Sequence, residues 1–145
     1  YRDCGINRLS IGLQSTNNRL LKEIGRIHNY EQFLNTYNSS VEVGFNNINV
    51  DLMLGLPNQN IMDLKESLEK IIKLKPSPKH ISVYSLIVEE YTQIEKMIND
   101  GELELPKEEE ERVREILHQE MMGVTDFPVE MDIDIQSGSD WYEAH

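Results

Sequence analysis

The sequence predicts an α/β fold in which parallel strands alternate with helices. Three short apolar runs, at residues 8–14, 47–54 and 80–87, have the length and composition of strands, and the segments between them carry apolar residues at helical spacing. Strands separated by helices are joined by crossover connections and run parallel. Because these strands are almost wholly apolar, we expect them to be buried on both faces. Three such βα units are too few to close a barrel of eight strands.

Two helices are predicted between the first and second strands. The first is capped by Ser15 or Thr16 and ends at Gly25, a residue that favours helix termination. The second begins after Asn29 and ends at Gly44. The apolar positions that follow helical spacing are Leu20, Leu21 and Ile24 in the first helix and Phe33, Leu34, Tyr37 and Val41 in the second.

Two further helices are predicted, one on each side of the third strand. Asn60 and Asp63 open the earlier helix, which stops before Pro76. Thr92 and Glu95 have the spacing of a capping box and open the later one. The apolar positions are Leu64, Leu68, Ile71 and Ile72 in the earlier helix and Ile94, Met97 and Ile98 in the later one.

Charge divides the chain into two predicted domains, residues 1–105 and 106–145. The net charge is −12 over 145 residues, and residues 106–145 hold 3 of the 14 Lys and Arg residues but 12 of the 26 Asp and Glu residues. An acidic surface helix and tail is the simpler interpretation of this segment. We do not expect this segment to bind nucleic acid unaided, because the phosphates would repel its carboxylates.

Residues 106–145 predict an acidic helix followed by an edge strand. Glu108 to Glu111 open the helix, where acidic side chains favour the helix dipole, and Gly123 ends it. Residues 128–135 then alternate between apolar and polar side chains, which is typical of a half-exposed edge strand.

Cysteine content restricts the kinds of site that this chain can build alone. Its single cysteine, Cys4, excludes an internal disulfide and a zinc or iron–sulfur site held by its own thiolates. One cysteine also suits a reducing compartment, so we expect a cytoplasmic protein in which Cys4 is a buried structural thiol.

No stretch approaches the roughly 20 apolar residues of a membrane span. Residues 1–4 have no character of a leader and suggest the interior of a longer sequence.

Gln14, Arg26 and Asp51 are the candidate functional residues. Gln14 ends the first strand, and binding groups of parallel sheets collect at the carboxyl ends of strands. Asp51 is an acid in an apolar strand, where burial costs free energy unless a partner binds it. Two interpretations stay open: Arg26 forms a structural ion pair with Asp51, or Arg26 clamps the carboxylate of a ligand. The four histidines are scattered and are interpreted as surface or packing residues.

Four motifs follow one another in residues 1–105 at compatible spacing. They are Gly5-Ile-Asn-Arg-Leu-Ser-Ile-Gly-Leu-Gln-Ser15, Gly25-Arg-Ile-His28, Asn49-Val-Asp-Leu-Met-Leu-Gly-Leu-Pro-Asn-Gln59 and His80-Ile-Ser-Val-Tyr-Ser-Leu86. Together they resemble the radical S-adenosylmethionine enzymes of the oxygen-independent coproporphyrinogen III oxidase family, and most closely its haem-chaperone branch. Four ordered motifs are far more specific than any one of them.

This resemblance implies the C-terminal half of an open (β/α)6 barrel and a set of ligands. In the family, a 4Fe–4S cluster reduces S-adenosylmethionine to a radical that the oxidases use on a porphyrinogen, whereas the chaperone branch binds and delivers haem. Position by position, Gln14, Arg26 and Asp51 match residues that contact S-adenosylmethionine in the family. Porphyrin or haem is the implied partner of the full-length proteins. The cluster cysteines have no counterpart in this sequence, so we expect this chain alone to be inactive.

Residues from about 106 onward resemble a different family, the extreme C-terminus of bacterial family A DNA polymerases. The segments that carry this resemblance are Pro106-Lys-Glu-Glu-Glu-Glu111, Met121-Met-Gly-Val124, Pro128-Val-Glu-Met-Asp-Ile133 and Gly138-Ser-Asp-Trp-Tyr-Glu-Ala-His145. The resemblance implies a structural tail that carries no catalytic residue. The two resemblances join within residues 103–115.

Three hypotheses therefore stand beside one another: half of a radical S-adenosylmethionine barrel, a structural piece of a DNA polymerase, and a non-functional composite of the two. Both resemblances are truncated at the join, so we favour a composite origin and a radical S-adenosylmethionine protein as the functional class. An opened half-barrel exposes strand edges, which predicts poor stability and possible self-association.

Overall fold

A computed structural model describes residues 1–106, which lie within one compact unit. A 3-10 turn at Arg2–Cys4 precedes seven elements in the order β1 Leu9–Gln14, α1 Asn18–Glu23, α2 Tyr30–Glu42, β2 Ile48–Leu54, α3 Ile61–Ile72, β3 His80–Ser85 and α4 Gln93–Asn99. The predicted α/β class and its three βα units are confirmed. The helix, edge strand and domain predicted for residues 106–145 lie outside the described residues, apart from Pro106.

The three strands form one parallel sheet in the order β1-β2-β3. Asp51, near the middle of β2, lies opposite Gly12 of β1 on one side and Ser82 of β3 on the other. The register between β1 and β2 shifts after Gly12, so that Gln14 pairs with Leu52. This irregularity falls at the carboxyl end of β1, next to the predicted site.

The sheet has one apolar face and one face that carries polar side chains. The expectation of burial on both faces is met at Asn49 and Val50 of β2, which point to opposite faces, and is wrong for β3. Val50 and Leu52 are fully buried, whereas Asn49 and Asp51, which alternate with them, point to the opposite face. Burial also decreases outward from β2, because β3 is the outer strand of the described sheet and none of its residues is buried. Length and apolar content suggested buried strands, but the alternation of polar residues distinguishes the two faces.

The core lies between the apolar face of the sheet and the helices. Among the described residues, α2 packs on β1 and α3 packs on β2. The sheet and helices contribute the buried side chains Leu13, Ile48, Val50, Leu52, Leu20, Leu21, Phe33, Tyr37, Leu64, Leu68 and Ile71. These residues fall at the predicted helical and strand positions.

Two of the predicted helix starts are confirmed as full capping boxes. The side chain of Asn29 accepts a hydrogen bond from the Gln32 amide, and the Gln32 side chain accepts one in return from the Asn29 amide. Asn60 and Asp63 exchange the same pair of bonds at the start of α3. Each box satisfies backbone donors that a helix start leaves without partners.

The other two helix starts differ from the prediction. Asn17, rather than Ser15 or Thr16, caps α1, because its side chain accepts from the Arg19 amide while Ser15 and Thr16 are buried beside β1. At α4, Thr92 accepts from the Glu95 amide as expected, but the Glu95 carboxylate accepts from the backbone amide of Tyr91. The predicted reciprocal box at α4 is therefore only half formed.

Cys4 is exposed, so the expectation of a buried structural thiol is wrong. It ends the 3-10 turn Arg2–Cys4, all of whose residues lie at the surface and contribute nothing to the core. Within residues 1–106, no helix is both long and apolar enough to cross a membrane.

Candidate functional site

The carboxyl end of β1 is held in an unusual backbone conformation. Gln14 has a φ of 67°, in the left-handed region that a side chain with a Cβ rarely adopts, and only 2% of its surface is exposed. Thr16, two residues further on, is anchored from α3: its backbone amide donates to the Ser67 hydroxyl at 3.1 Å, and both groups are buried. This buried contact holds the chain in the turn that begins at Gln14.

Gln14 holds Arg26 over the surface of β1. The Arg26 Nε donates a 3.0 Å hydrogen bond to the Gln14 Oε1. A Cβ placed on Gly12 would lie 2.8 Å from the Gln14 Nε2 and 3.4 Å from an Arg26 Nη. Both side chains therefore lie across Gly12, and the missing side chain of this glycine provides the space that they occupy. Arg26 itself is exposed, with its guanidinium edge available to solvent.

Asp51 is bound by neighbours on two strands. The Ser10 Oγ donates to one carboxylate oxygen at 2.9 Å, and the Asn49 Nδ2 donates to the other at 2.6 Å. The Asn49 Nδ2 also donates to the Ser10 Oγ at 2.8 Å. Asp51 is half-buried and keeps part of its carboxylate on the polar face. The partners that the sequence required of this acid are hydroxyl and amide groups rather than a cation.

Asn49 is in turn held by the third strand. The Ser82 Oγ donates a 3.1 Å hydrogen bond to the Asn49 Oδ1, and Asn49 is 2% exposed. Sequence analysis missed Ser10, Asn49 and Ser82, each of which contributes to this hydrogen-bonded group. Of the three, Asn49 carried a signal in the sequence, since it precedes Asp51 by two positions and therefore shares its face of the strand.

The structure brings Gln14 and Arg26 together and places Asp51 beside them without a direct bond to Arg26. The interpretation of Arg26 and Asp51 as a structural ion pair is therefore wrong for the described residues. Arg26 lies over Gly12, and Gly12 is the β1 residue opposite Asp51. A cationic group and an anionic group thus lie on the same polar face, each oriented by its own neutral partner. Both remain able to bind a ligand that carries charges of both signs.

The Gly55–Pro57 turn closes the carboxyl end of β2. Gly55 has a φ of 70°, which glycine adopts at low cost. Gln59 closes the turn by donating from Nε2 to the Met53 carbonyl at 3.0 Å and by accepting from the Leu56 amide at 3.1 Å.

At the end of β1, the His28 Nε2 lies 3.2 Å from the Leu13 carbonyl, a packing contact of the kind predicted for this histidine.

The donor set fits S-adenosylmethionine and does not fit an iron–sulfur cluster. S-adenosylmethionine carries a carboxylate and two cationic groups, which Arg26 and Asp51 complement in charge, and Gly12, over which Arg26 lies, is the β1 residue opposite Asp51. An iron–sulfur cluster needs several thiolates, whereas Cys4 is the single cysteine. In the part of the chain that the structure describes, no three His, Cys, Asp or Glu side chains form a group that would hold a metal ion.

Comparisons with known proteins agree with this fold. Residues 1–71 match the radical SAM superfamily. The chain is 40% identical to the heme chaperone HemW of Bacillus subtilis over 110 residues, which cover 76% of this chain and 28% of that protein. It is 37% identical to HemW of Escherichia coli over 92 residues, or 63% of this chain and 24% of that protein.

Two solved structures share the fold. Coproporphyrinogen III oxidase (HemN) from Escherichia coli, a radical SAM enzyme, superposes with a TM-score of 0.60 and 26% identity over 86% of this chain and 27% of that chain. Elp3 of Methanocaldococcus infernus superposes with a TM-score of 0.69 and 25% identity over 81% of this chain and 27% of that chain.

This chain therefore spans 28% of the length of the Bacillus subtilis HemW that it matches. The match to the superfamily runs from residue 1 to residue 71, near the end of α3, and this range includes Gln14, Arg26 and Asp51. The relatives and the superposed structures agree with that match in fold and in sequence. Residues 1–71 thus identify this chain as a radical SAM fragment that is similar in sequence and fold to haem-related proteins.

Proposed function

We propose that residues 1–106 form part of the S-adenosylmethionine-binding wall of a radical SAM protein of porphyrin or haem metabolism, of the HemW type. One observation carries the proposal: Arg26 is held by Gln14 over Gly12, and Gly12 lies opposite Asp51. The two charged groups are thereby presented on one face of a parallel sheet, and Gln14, which holds Arg26, ends β1 at the edge where such folds bind ligands.

The charges of these residues match those of the proposed ligand. Arg26 presents a guanidinium, whose planar N–H groups pair well with a carboxylate. Asp51 presents a carboxylate to the sulfonium or ammonium group. Since neither side chain is bound to the other, ligand binding does not have to break a preformed ion pair. Gly12 allows Gln14 to hold Arg26 in this position, because a Cβ at residue 12 would meet both side chains.

The chain's own residues bind and orient the cofactor but do not supply its chemistry. When bound in the family, an iron–sulfur cluster provides the electron that cleaves S-adenosylmethionine. Because this chain holds one cysteine, we expect no such reaction from it alone. The similarity to proteins named heme chaperone supports haem as the partner of the whole protein, with porphyrin as the ligand type of the coproporphyrinogen oxidase.

Isothermal titration of the 145-residue chain with S-adenosylmethionine tests the proposal. Arg26→Ala should weaken binding by about tenfold or more, since a charge-assisted hydrogen bond contributes about 1.5–3 kcal/mol. Arg8→Ala is a matched control that removes the same charge from an exposed position at the amino end of β1, and it should bind as the unaltered chain does. Asp51→Asn should also weaken binding.

Two results would contradict the proposal, one for Arg26 alone and one for the site as a whole. Equal affinities for the Arg26→Ala and Arg8→Ala variants would remove Arg26 from the site. No binding by the unaltered chain, with a circular dichroism spectrum that shows it to be folded, would contradict the proposed function as a whole.

A further inference from the structure

The Asp51 carboxylate is fixed by a hydrogen-bonded network that crosses all three strands. The network runs from Ser82 of β3 to Asn49 of β2, and from Asn49 to both Asp51 and Ser10 of β1. Ser10 then donates to Asp51, so each carboxylate oxygen has one protein donor. We call this group, Ser10, Asn49, Asp51 and Ser82, the cross-strand network.

Within the cross-strand network, Ser10, Asn49 and Ser82 each donate to another member, whereas Asp51 only accepts. Both donors of the Asn49 amide face acceptors, and its oxygen accepts from Ser82. The reverse orientation of this amide would set its oxygen against the Asp51 carboxylate, which is electrostatically unfavourable. A carboxylate oxygen can accept more than one hydrogen bond, so both Asp51 oxygens retain acceptor capacity, and Asp51 is the charged member of the network.

We infer that Ser10, Asn49 and Ser82 are positioning residues that orient the Asp51 carboxylate toward a cationic sulfonium group, and thereby set a preference for sulfonium over neutral thioether ligands. This inference rests on the proposed function and adds three residues to its site. Preorganised groups interact more strongly with a developing or bound charge than mobile ones do, because no reorganisation is needed on binding. An unrestrained Asp51 would instead rotate toward water.

The charge of the ligand distinguishes a positioning role from a general structural one. S-adenosylhomocysteine shares the adenosine and amino-acid parts of S-adenosylmethionine but lacks the methyl group and the sulfonium charge. A loss of Asp51 orientation should therefore weaken S-adenosylmethionine binding and leave S-adenosylhomocysteine binding unchanged. A general loss of structure should weaken both ligands equally.

Titration of both ligands into matched variants of the 145-residue chain tests this inference. Ser82→Ala and, independently, Ser10→Ala should each lower the affinity for S-adenosylmethionine about fivefold, the effect of one hydrogen bond, with no change for S-adenosylhomocysteine. Ser82→Thr keeps the hydroxyl on a residue that suits strands and should restore the preference. Ser77→Ala is the control, because the Ser77 hydroxyl donates to the backbone carbonyls of Ile72, the last residue of α3, and Leu74, away from the network.

These titrations can overturn the inference while leaving the proposed function in place. If Ser82→Ala and Ser10→Ala lower the affinity for both ligands equally, or for neither, the positioning role is overturned. In that case, weaker S-adenosylmethionine binding by Asp51→Asn would still leave the proposed site in place. An unaltered chain that is folded and binds neither ligand would overturn both. A selective loss that Ser82→Thr reverses would support the inference.

Discussion

Arg26 donates from its Nε to the Oε1 of Gln14 at 3.0 Å, and this bond joins the end of β1 to the loop that follows α1. Gln14 is nearly fully buried, whereas Arg26 is exposed. The buried partner therefore determines the position of the exposed one. This relationship makes Gln14 a positioning residue for the guanidinium, and it leads to predictions that separate backbone strain from side-chain bonding.

Two substitutions at Gln14 should have the same effect on binding and different effects on stability. Both Gln14→Ala and Gln14→Gly remove the bond to Arg26, so each should weaken S-adenosylmethionine binding about fivefold by titration. Glycine accepts a φ of 67° without the steric cost that a Cβ imposes, which is about 1 kcal/mol. The glycine variant should therefore be the more stable of the two in urea denaturation. Equal stabilities would show that the left-handed conformation is not retained.

Gly12→Ala should disrupt the site while leaving the fold intact. The added Cβ would lie 2.8 Å from the end of the Gln14 side chain, which must move and lose its place beneath Arg26. Because the colliding atoms belong to flexible side chains, we expect a loss of stability below about 1 kcal/mol and a loss of S-adenosylmethionine affinity of about tenfold.

A double-mutant cycle with Arg26→Ala provides the control for Gly12→Ala. If Gly12 acts through the Gln14–Arg26 pair, adding Gly12→Ala to Arg26→Ala should cost little further affinity, because the two changes remove one shared interaction. Fully additive losses would indicate that the glycine contacts the ligand independently of Arg26.

Ser67→Ala should destabilise the fold through the turn that follows Gln14. The Ser67 hydroxyl accepts from the Thr16 amide at 3.1 Å and donates to the Asp63 carbonyl at 2.8 Å, and its removal leaves the buried amide without this partner. An unsatisfied buried donor costs about 1–3 kcal/mol, which urea denaturation would measure. Ser40→Ala, which removes an exposed helical hydroxyl bonded to the Thr36 carbonyl, should cost much less. Equal effects would show that burial of the Thr16 amide does not matter.

Tyr37 should make the stability of the protein fall at high pH. Burial raises the pKa of Tyr37 to about 12, from an ordinary value of about 10. Below pH 10 the phenol is protonated in both the folded and unfolded chains, so its contribution is fully present. As the pH rises from 10 to 12 the unfolded chain ionises first, and the stability decreases.

Comparison with Tyr37→Phe isolates this pH dependence. The phenylalanine variant should show a smaller decrease in the free energy of unfolding between pH 10 and 12, measured by urea denaturation. At pH 7 it should be less stable by about 1 kcal/mol, because it loses the 2.9 Å hydrogen bond to the Pro76 carbonyl. Parallel pH profiles for the two proteins would exclude Tyr37 as the titrating group.

Much of the fold was predictable because it depends on local patterns. Caps such as Asn29 and Asn60 act within one turn of their helices, and the apolar positions of α2 and α3 follow the helical repeat. The start of α1 was assigned incorrectly since Ser15, Thr16 and Asn17 are all capable caps. Contacts with α3 engage Thr16 and leave Asn17 to cap the helix.

The candidate site was predictable only in part. Gln14 and Asp51 were found because a polar side chain in an apolar strand is conspicuous, and Arg26 because it follows a helix end. Ser10 and Ser82 were missed, since a serine in a strand becomes informative only when its neighbour on the next strand is known. Both lie far from Asp51 along the chain but pair with its strand in the sheet.

The sequence by itself determined the α/β class, the order of strands and helices in residues 1–106, and the three residues proposed to contact S-adenosylmethionine. Only the tertiary structure decided which of them act together. In the structure Arg26 bonds to Gln14, Ser10 and Asn49 donate hydrogen bonds to Asp51, and one face of the sheet is polar. The physical reason is that strand register, which no local pattern specifies, brings residues some 40 positions apart into hydrogen-bonding distance.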